Sequence, residues 1–281
     1  MKGVCHWFLL LLMLSLPLCH GVVPVAAGAG SHLYLELVST IDLEGEPCSI
    51  AVDERTNRVY VGMNRSVAVI DGGTDTVVAG FPLDFVAEIL EVNQETGHIF
   101  VTSHAAGETL VLDGSTGSRV HAFDDDMIRP DEIAIDPVAN LVYLAEWTVW
   151  LGEYDRVRVV DGSTFEEVGV INVPGSDEYH YVSSVGVEVN PAANLVYVLW
   201  GANDTLHVVD GSTREVLKAV PVQGYNEFHI NPATGYVYYG GSVLDGLTLE
   251  EVPADFPGYF MGADPALNVV YTQTLNTLYA L

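Results

Sequence analysis

The chain has 281 residues and a formal net charge of −28, from 10 Lys and Arg against 38 Asp and Glu, with 3 cysteines. Nucleic acid is excluded as a partner, because binding it needs basic groups to neutralise phosphate, and anionic membrane surfaces are disfavoured for the same reason. Cys5 and Cys19 sit in the N-terminal leader and leave Cys48 alone, which excludes a disulfide framework and a thiolate metal cluster in the mature chain.

In chain order, Lys2 precedes a largely apolar run, Trp7 to Leu18, and the small residues Val25-Ala26-Ala27 and Ala27-Gly28-Ala29 follow. That order predicts an export signal over residues 1–30. The run is shorter than the roughly 20 residues of a membrane span; an uncleaved anchor is the alternative. Leu18 stands before Cys19 where a lipoprotein needs a small residue. No second run of spanning length occurs, and none closes the chain at Leu281, so the expected address is secreted, extracellular or cell-surface, with no span unless the leader stays. Residues 31–281 then form one domain, long enough for a sizeable core. Losing Lys2 leaves Lys218 as the one mature lysine and takes the charge to −29. Such self-repulsion favours a salty medium or divalent cations; a plain solvated acidic surface is the alternative.

Six segments share one phrase: Val52-Asp53 to Val59-Tyr60-Val61, Val92-Asn93 to Ile99-Phe100-Val101, Ile135-Asp136 to Val142-Tyr143-Leu144, Val189-Asn190 to Val196-Tyr197-Val198, Ile230-Asn231 to Val237-Tyr238-Tyr239 and Ala263-Asp264 to Val270-Tyr271-Thr272. The aromatic always stands seven residues after the Asp or Asn. This reads as a hairpin: the Asx side chain caps the turn, Pro137, Pro191, Pro232 and Pro265 preset a dihedral, and a Gly or Asn supplies left-handed geometry. A second phrase follows each apolar run: Asp71-Gly72-Gly73-Thr74, Asp113-Gly114-Ser115-Thr116, Asp161-Gly162-Ser163-Thr164, Asp210-Gly211-Ser212-Thr213 and a degraded Asp245-Gly246-Leu247-Thr248. One carboxylate per turn is too few for calcium, which takes six to eight oxygens, so these are turns between strands three and four.

Four strands in about 40 residues is the period of propeller blades. Through Asn190-Pro191-Ala192-Ala193-Asn194-Leu195-Val196-Tyr197-Val198 and Val208-Val209-Asp210-Gly211-Ser212-Thr213 the chain resembles the YVTN β-propeller repeat family. The resemblance implies an all-β, six-bladed propeller of four-stranded antiparallel blades, in an exported or surface-layer-like protein. WD40 and Kelch signatures do not recur. The sixth unit stops at Leu278-Tyr279-Ala280-Leu281, one strand short, and Glu36 to Leu43 aligns with Thr76 to Leu83, the fourth strand of unit one. The N-terminal strand is therefore expected to complete the last blade, which removes a free edge.

Unit three carries an insertion, Glu146 to Asp155, between strands two and three, and a long segment Gly175 to Tyr181 before unit four. Both loop classes fall on one face of a propeller. That face offers Trp147, Trp150, Tyr154, Tyr179, His180, Tyr181, Trp200, Tyr225 and Tyr259 as ligand anchors, rigid area with a polar handle. Packing of these rings onto the blade tops is the alternative. Glu88, Asp131, Glu132 and Glu227 stand near the starts of innermost strands, with Glu91, Glu188 and His229 deeper. Converging there, carboxylates would hold a hard cation such as calcium; a hydrated acidic channel is the alternative. There is no Gly-x-Ser-x-Gly elbow, no His-Glu-x-x-His and no phosphate-cradling glycine loop. Asn64-Arg65-Ser66 and Asn203-Asp204-Thr205 are glycosylation sequons.

The reading is a non-catalytic exported module that binds a protein, a glycan or a small molecule through its loop face. The alternatives are a metal-dependent hydrolase or lyase at the channel carboxylates, and a structural envelope component.

Overall fold

The computed structural model describes residues 39–124, 128–148, 156–172, 185–200, 204–222, 228–239, 242–253, 258–264, 269–274 and 277–280. Among them there is no helix. The first sheet holds β1 (Pro47–Asp53), β2 (Arg58–Met63), β3 (Ser66–Asp71) and β4 (Thr76–Pro82). The second holds β5 (Ile89–Asn93), β6 (His98–Ser103), β7 (Glu108–Asp113) and β8 (Arg119–Asp124). The third holds β9 (Ile128–Asp136), β10 (Leu141–Thr148), β11 (Arg156–Asp161) and β12 (Glu167–Ile171). The fourth holds β13 (Val185–Asn190), β14 (Leu195–Trp200), β15 (Thr205–Asp210) and β16 (Val216–Pro221). Two three-stranded sheets follow: β17 (Phe228–Asn231), β18 (Tyr236–Tyr239) and β19 (Ser242–Asp245), then β20 (Tyr259–Asp264), β21 (Val269–Thr274) and β22 (Thr277–Ala280). Each sheet is an antiparallel meander in chain order.

Both recurring turns form as the side-chain chemistry requires. Asp53, Asn93, Asp136, Asn190 and Asn231 each accept a backbone N–H two or three residues on, at 2.8 to 3.2 Å. Four residues after each stands a left-handed Asn57, Gly97, Asn140, Asn194 or Gly235, with φ between 51° and 74°. Asn and Gly tolerate that conformation at little cost. In the second turn the carboxylates of Asp71, Asp113, Asp161, Asp210 and Asp245 accept N–H groups in the same way.

The core lies between successive sheets. Strand alternation sends one face of each sheet to its predecessor and the other to its successor. Tyr60 joins the cluster shared by the first and second sheets, Phe100 that of the second and third, Tyr143 that of the third and fourth, and Tyr197 that of the fourth and fifth. The aromatic of each second strand thus plugs the gap to the next sheet. Burying a side chain of this size contributes roughly 1.5–3 kcal/mol. Tyr60 also donates its hydroxyl to the Gly114 carbonyl of the next sheet at 2.9 Å. The innermost strands β1, β5, β9, β13, β17 and β20 neighbour one another in that order.

The described residues bear on three expectations. Among the described residues the fifth sheet has three strands, and a single bridge, Leu244 to Glu251, stands where a fourth would pair. The start of the unit-three insertion is not loop, since β10 runs on through Glu146 and Trp147 to Thr148, paired with β9. At the N-terminus, residues 39–43 have no ladder partner among the described residues, and 31–38 lie outside them. Ile41 and Leu43 nonetheless pack on the first sheet, just as Phe81 and Leu83 pack on the second.

Candidate functional site

Three polar side chains occupy one repeat position, two residues before the Asx that ends an innermost strand: Glu91 on β5, Glu188 on β13 and His229 on β17. The matching positions elsewhere hold Ala51, Ala134 and Gly262. Small residues there leave room for the long ones. Glu91 and Glu188 belong to the second and fourth sheets, two sheets apart, yet each lies within the other's field. Burial, and then the Glu188 charge, push Glu91 up to about 8. At neutral pH Glu91 is therefore mainly a neutral acid, able to donate a hydrogen bond. The Glu188 carboxylate meets His229 Nδ1 at 3.4 Å. The His229 ring lies 5.3 Å from Phe260, which stacks on Tyr238 at 4.4 Å and 14°. Carboxylates, an imidazole and aromatic faces from four sheets therefore meet on the inner side.

A second set lies at the strand starts. Glu88 accepts from Ser103 Oγ at 3.1 Å and from the Ala105 N–H at 3.2 Å. Asp131 meets His104 Nδ1 at 2.9 Å with one oxygen and accepts the Val185 N–H at 3.1 Å with the other. Glu132 accepts the Val187 N–H at 3.2 Å. Adjacent strand residues normally face opposite ways. Here a bulge opposite Ala145 and Glu146 leaves Asp131 unpaired and turns both carboxylates toward β13. Their oxygens satisfy N–H groups on the inner edge of the next sheet. Among the described residues no three His, Cys, Asp or Glu gather as metal ligands; Glu227 lies outside those residues.

Of the aromatic anchors, Trp200 is corrected. It closes β14 and is 1% exposed in the core between the third and fourth sheets, so it offers no surface to a ligand. Trp147 is paired in β10 opposite Arg129, and Tyr259 opens β20 opposite Gln273. Trp150, Tyr154, Tyr179, His180, Tyr181 and Tyr225 lie outside the described residues.

One polar cluster was not anticipated. Glu146, buried in β10, receives Arg156 Nε at 3.1 Å and the guanidinium of Arg158. The sequence signal was Arg-x-Arg: alternation puts both cations on one face of β11, and Glu146 stands directly across from Arg156.

No family model matches the chain, and no curated protein matches it. Among solved structures it is similar to hydrazine synthase from Kuenenia stuttgartiensis, with a TM-score of 0.63 at 16% identity, over 88% of this chain and 76% of that one. The chain is a β-propeller. At that identity the likeness is one of fold, and a propeller scaffold hosts many unrelated functions. What the propeller contributes here is the placement of Glu91, Glu188 and His229 on its inner strands.

Proposed function

We propose that this propeller is an exported interaction module that takes a small organic cation on its inner side, between Glu91 and Glu188. The observation that carries the reading is Glu91, a carboxyl held neutral at pH 7 by burial and by a second carboxylate from two sheets away. A cation placed there opposes the shift, because it favours the charged form. The Phe260 ring beside His229 suits an ammonium group, which is attracted to aromatic faces. An organic cation fits better than calcium, since Asp131 and Glu132 already serve backbone N–H groups and calcium takes six to eight oxygens. Export rests on the leader, and membership of the YVTN repeats on the two recurring phrases. A ring of six blades closed by residues 36–43 is supported by the packing of Ile41 and Leu43.

Calorimetric titration with putrescine and with calcium, in buffers of differing ionisation enthalpy at pH 7, tests the reading. Putrescine is expected to bind and to release close to one proton, and Glu91→Gln is expected to abolish the release. Calcium binding with no response to putrescine, or putrescine binding with no proton release, would refute it.

A further inference from the structure

The sheets repeat one latch. The fourth residue after each second-turn aspartate is left-handed: Asp75, Gly117, Phe165, Arg214 and Leu249 have φ between 52° and 71°. Between the first and second sheets this residue is Gly117, and the Phe81 ring fills the space that a side chain there would need. Between the second and third sheets it is Phe165, whose φ of 62° is unfavourable for a bulky residue. Its ring stacks on His121 at 4.9 Å and 20° and meets Phe123 edge-on at 6.5 Å. With the ring in that place the gap does not close. A cavity of about 290 Å³ remains, lined by His121, Phe123, Arg158, Phe165 and Glu167. That is close to the lower end of small-molecule pockets, roughly 300–1,000 Å³.

The charged groups of this cavity have opposite signs and are not spent on each other. The Arg158 guanidinium lies over Phe123, 5.3 Å from the ring centroid, and gives one nitrogen to Glu146. Its Nε is buried and has no partner. Glu167 stands opposite Val160, diagonal to Arg158 across the β11–β12 ladder. A bulge separates the two positions, and both side chains line the cavity. Glu167 is exposed all the same and takes part in no ion pair among the described residues. With 38 carboxylates for 10 cations in the chain, spare guanidinium donors beside an unpaired carboxylate call for a physical reason.

We propose that this cavity binds a small zwitterion with a planar side chain, of the aromatic α-amino-acid class. Arg158 takes the carboxylate, Glu167 takes the ammonium, and the ring lies against His121, Phe123 and Phe165. A net-neutral zwitterion brings its carboxylate to Arg158 without the long-range repulsion that a simple anion meets at this net charge.

Titration calorimetry of the full chain with L-phenylalanine, benzoate and phenethylamine tests this. L-Phenylalanine is expected to bind one to one and more tightly than either probe lacking one of its charges. Glu167→Gln, at an exposed position that supports no core contact, is expected to weaken L-phenylalanine by about tenfold, as loss of a charge-assisted hydrogen bond does, and to leave benzoate unchanged. Phe165→Gly, which places in this turn the residue that the second sheet uses, is expected to remove the binding of all three. No heat with any probe at millimolar concentration overturns the proposal. So does benzoate binding as tightly as L-phenylalanine with no response to Glu167→Gln.

Discussion

Replacing Glu91 by Gln keeps the shape of the side chain and removes its titration. In the folded chain Glu91 ionises near 8, against an ordinary value of 4.5. Between those values the unfolded chain has lost this proton while the folded chain keeps it. The folded state therefore binds more protons, and stability falls as pH rises through the window. At about 1.36 kcal/mol per pH unit, 3.5 units give an upper bound of about 5 kcal/mol; water on the inner side reduces this to a few kcal/mol. Glu91→Gln is expected to match the wild type near pH 4 and to exceed it by a few kcal/mol at pH 8. At roughly 2–4 °C per kcal/mol for a domain of this size, that is a difference of several degrees in Tm. The assay is parallel thermal and urea melts at half-unit steps from pH 4 to 9. Only the difference between the two proteins is read, because the large net negative charge makes both less stable as pH rises. Parallel curves across pH 5–8 would show that Glu91 is ordinarily hydrated and would refute the account of the inner side.

Removing Glu146 by substitution with Ala leaves the part-buried Arg156 and Arg158 without their partner; a loss of about 1–3 kcal/mol is expected from chemical denaturation. Tyr60→Phe deletes the buried hydroxyl that joins the first two sheets and is expected to cost about 1 kcal/mol, read as a lower Tm with unchanged circular dichroism. Hydrogen bonds from Ser115 and Thr116 hold Asp113 down at about 2, and backbone N–H groups lower Asp161, Asp210 and Asp245. These groups are depressed in the folded state, so their contribution is complete above the ordinary carboxylate range and is lost as pH falls toward 2. Asp113→Asn, which keeps the turn acceptor, is expected to make acid unfolding between pH 4 and 2 less steep. Deletion of residues 31–43 is expected to abolish cooperative melting, and an unchanged melt would rule out ring closure by that segment.

The repeat was legible in the sequence because its determinants are local. An Asx cap, a left-handed Asn or Gly four residues on and an aromatic seven residues on specify each hairpin within one short segment, and Asp53, Asn57 and Tyr60 take those places. The Asp-Gly turns were readable for the same reason. The candidate site was read only in part. Glu91, Glu188 and His229 could be placed on inner strands, but the pairing of Glu188 with His229 joins residues of different sheets, and no periodicity reports such a meeting. Trp200 was misplaced because a bulky aromatic at a strand end looks alike in sequence whether it turns to solvent or into the core. The bulge that turns Asp131 and Glu132 the same way depends on the extra length of β10, which composition does not reveal. By itself, the sequence determined the strands, the turns and their period, since these follow from side-chain and backbone chemistry a few residues apart. The tertiary structure alone decided which carboxylates lie in each other's field and where an aromatic latch leaves a cavity open, because electrostatic shifts and packing gaps arise only when separate sheets are brought together.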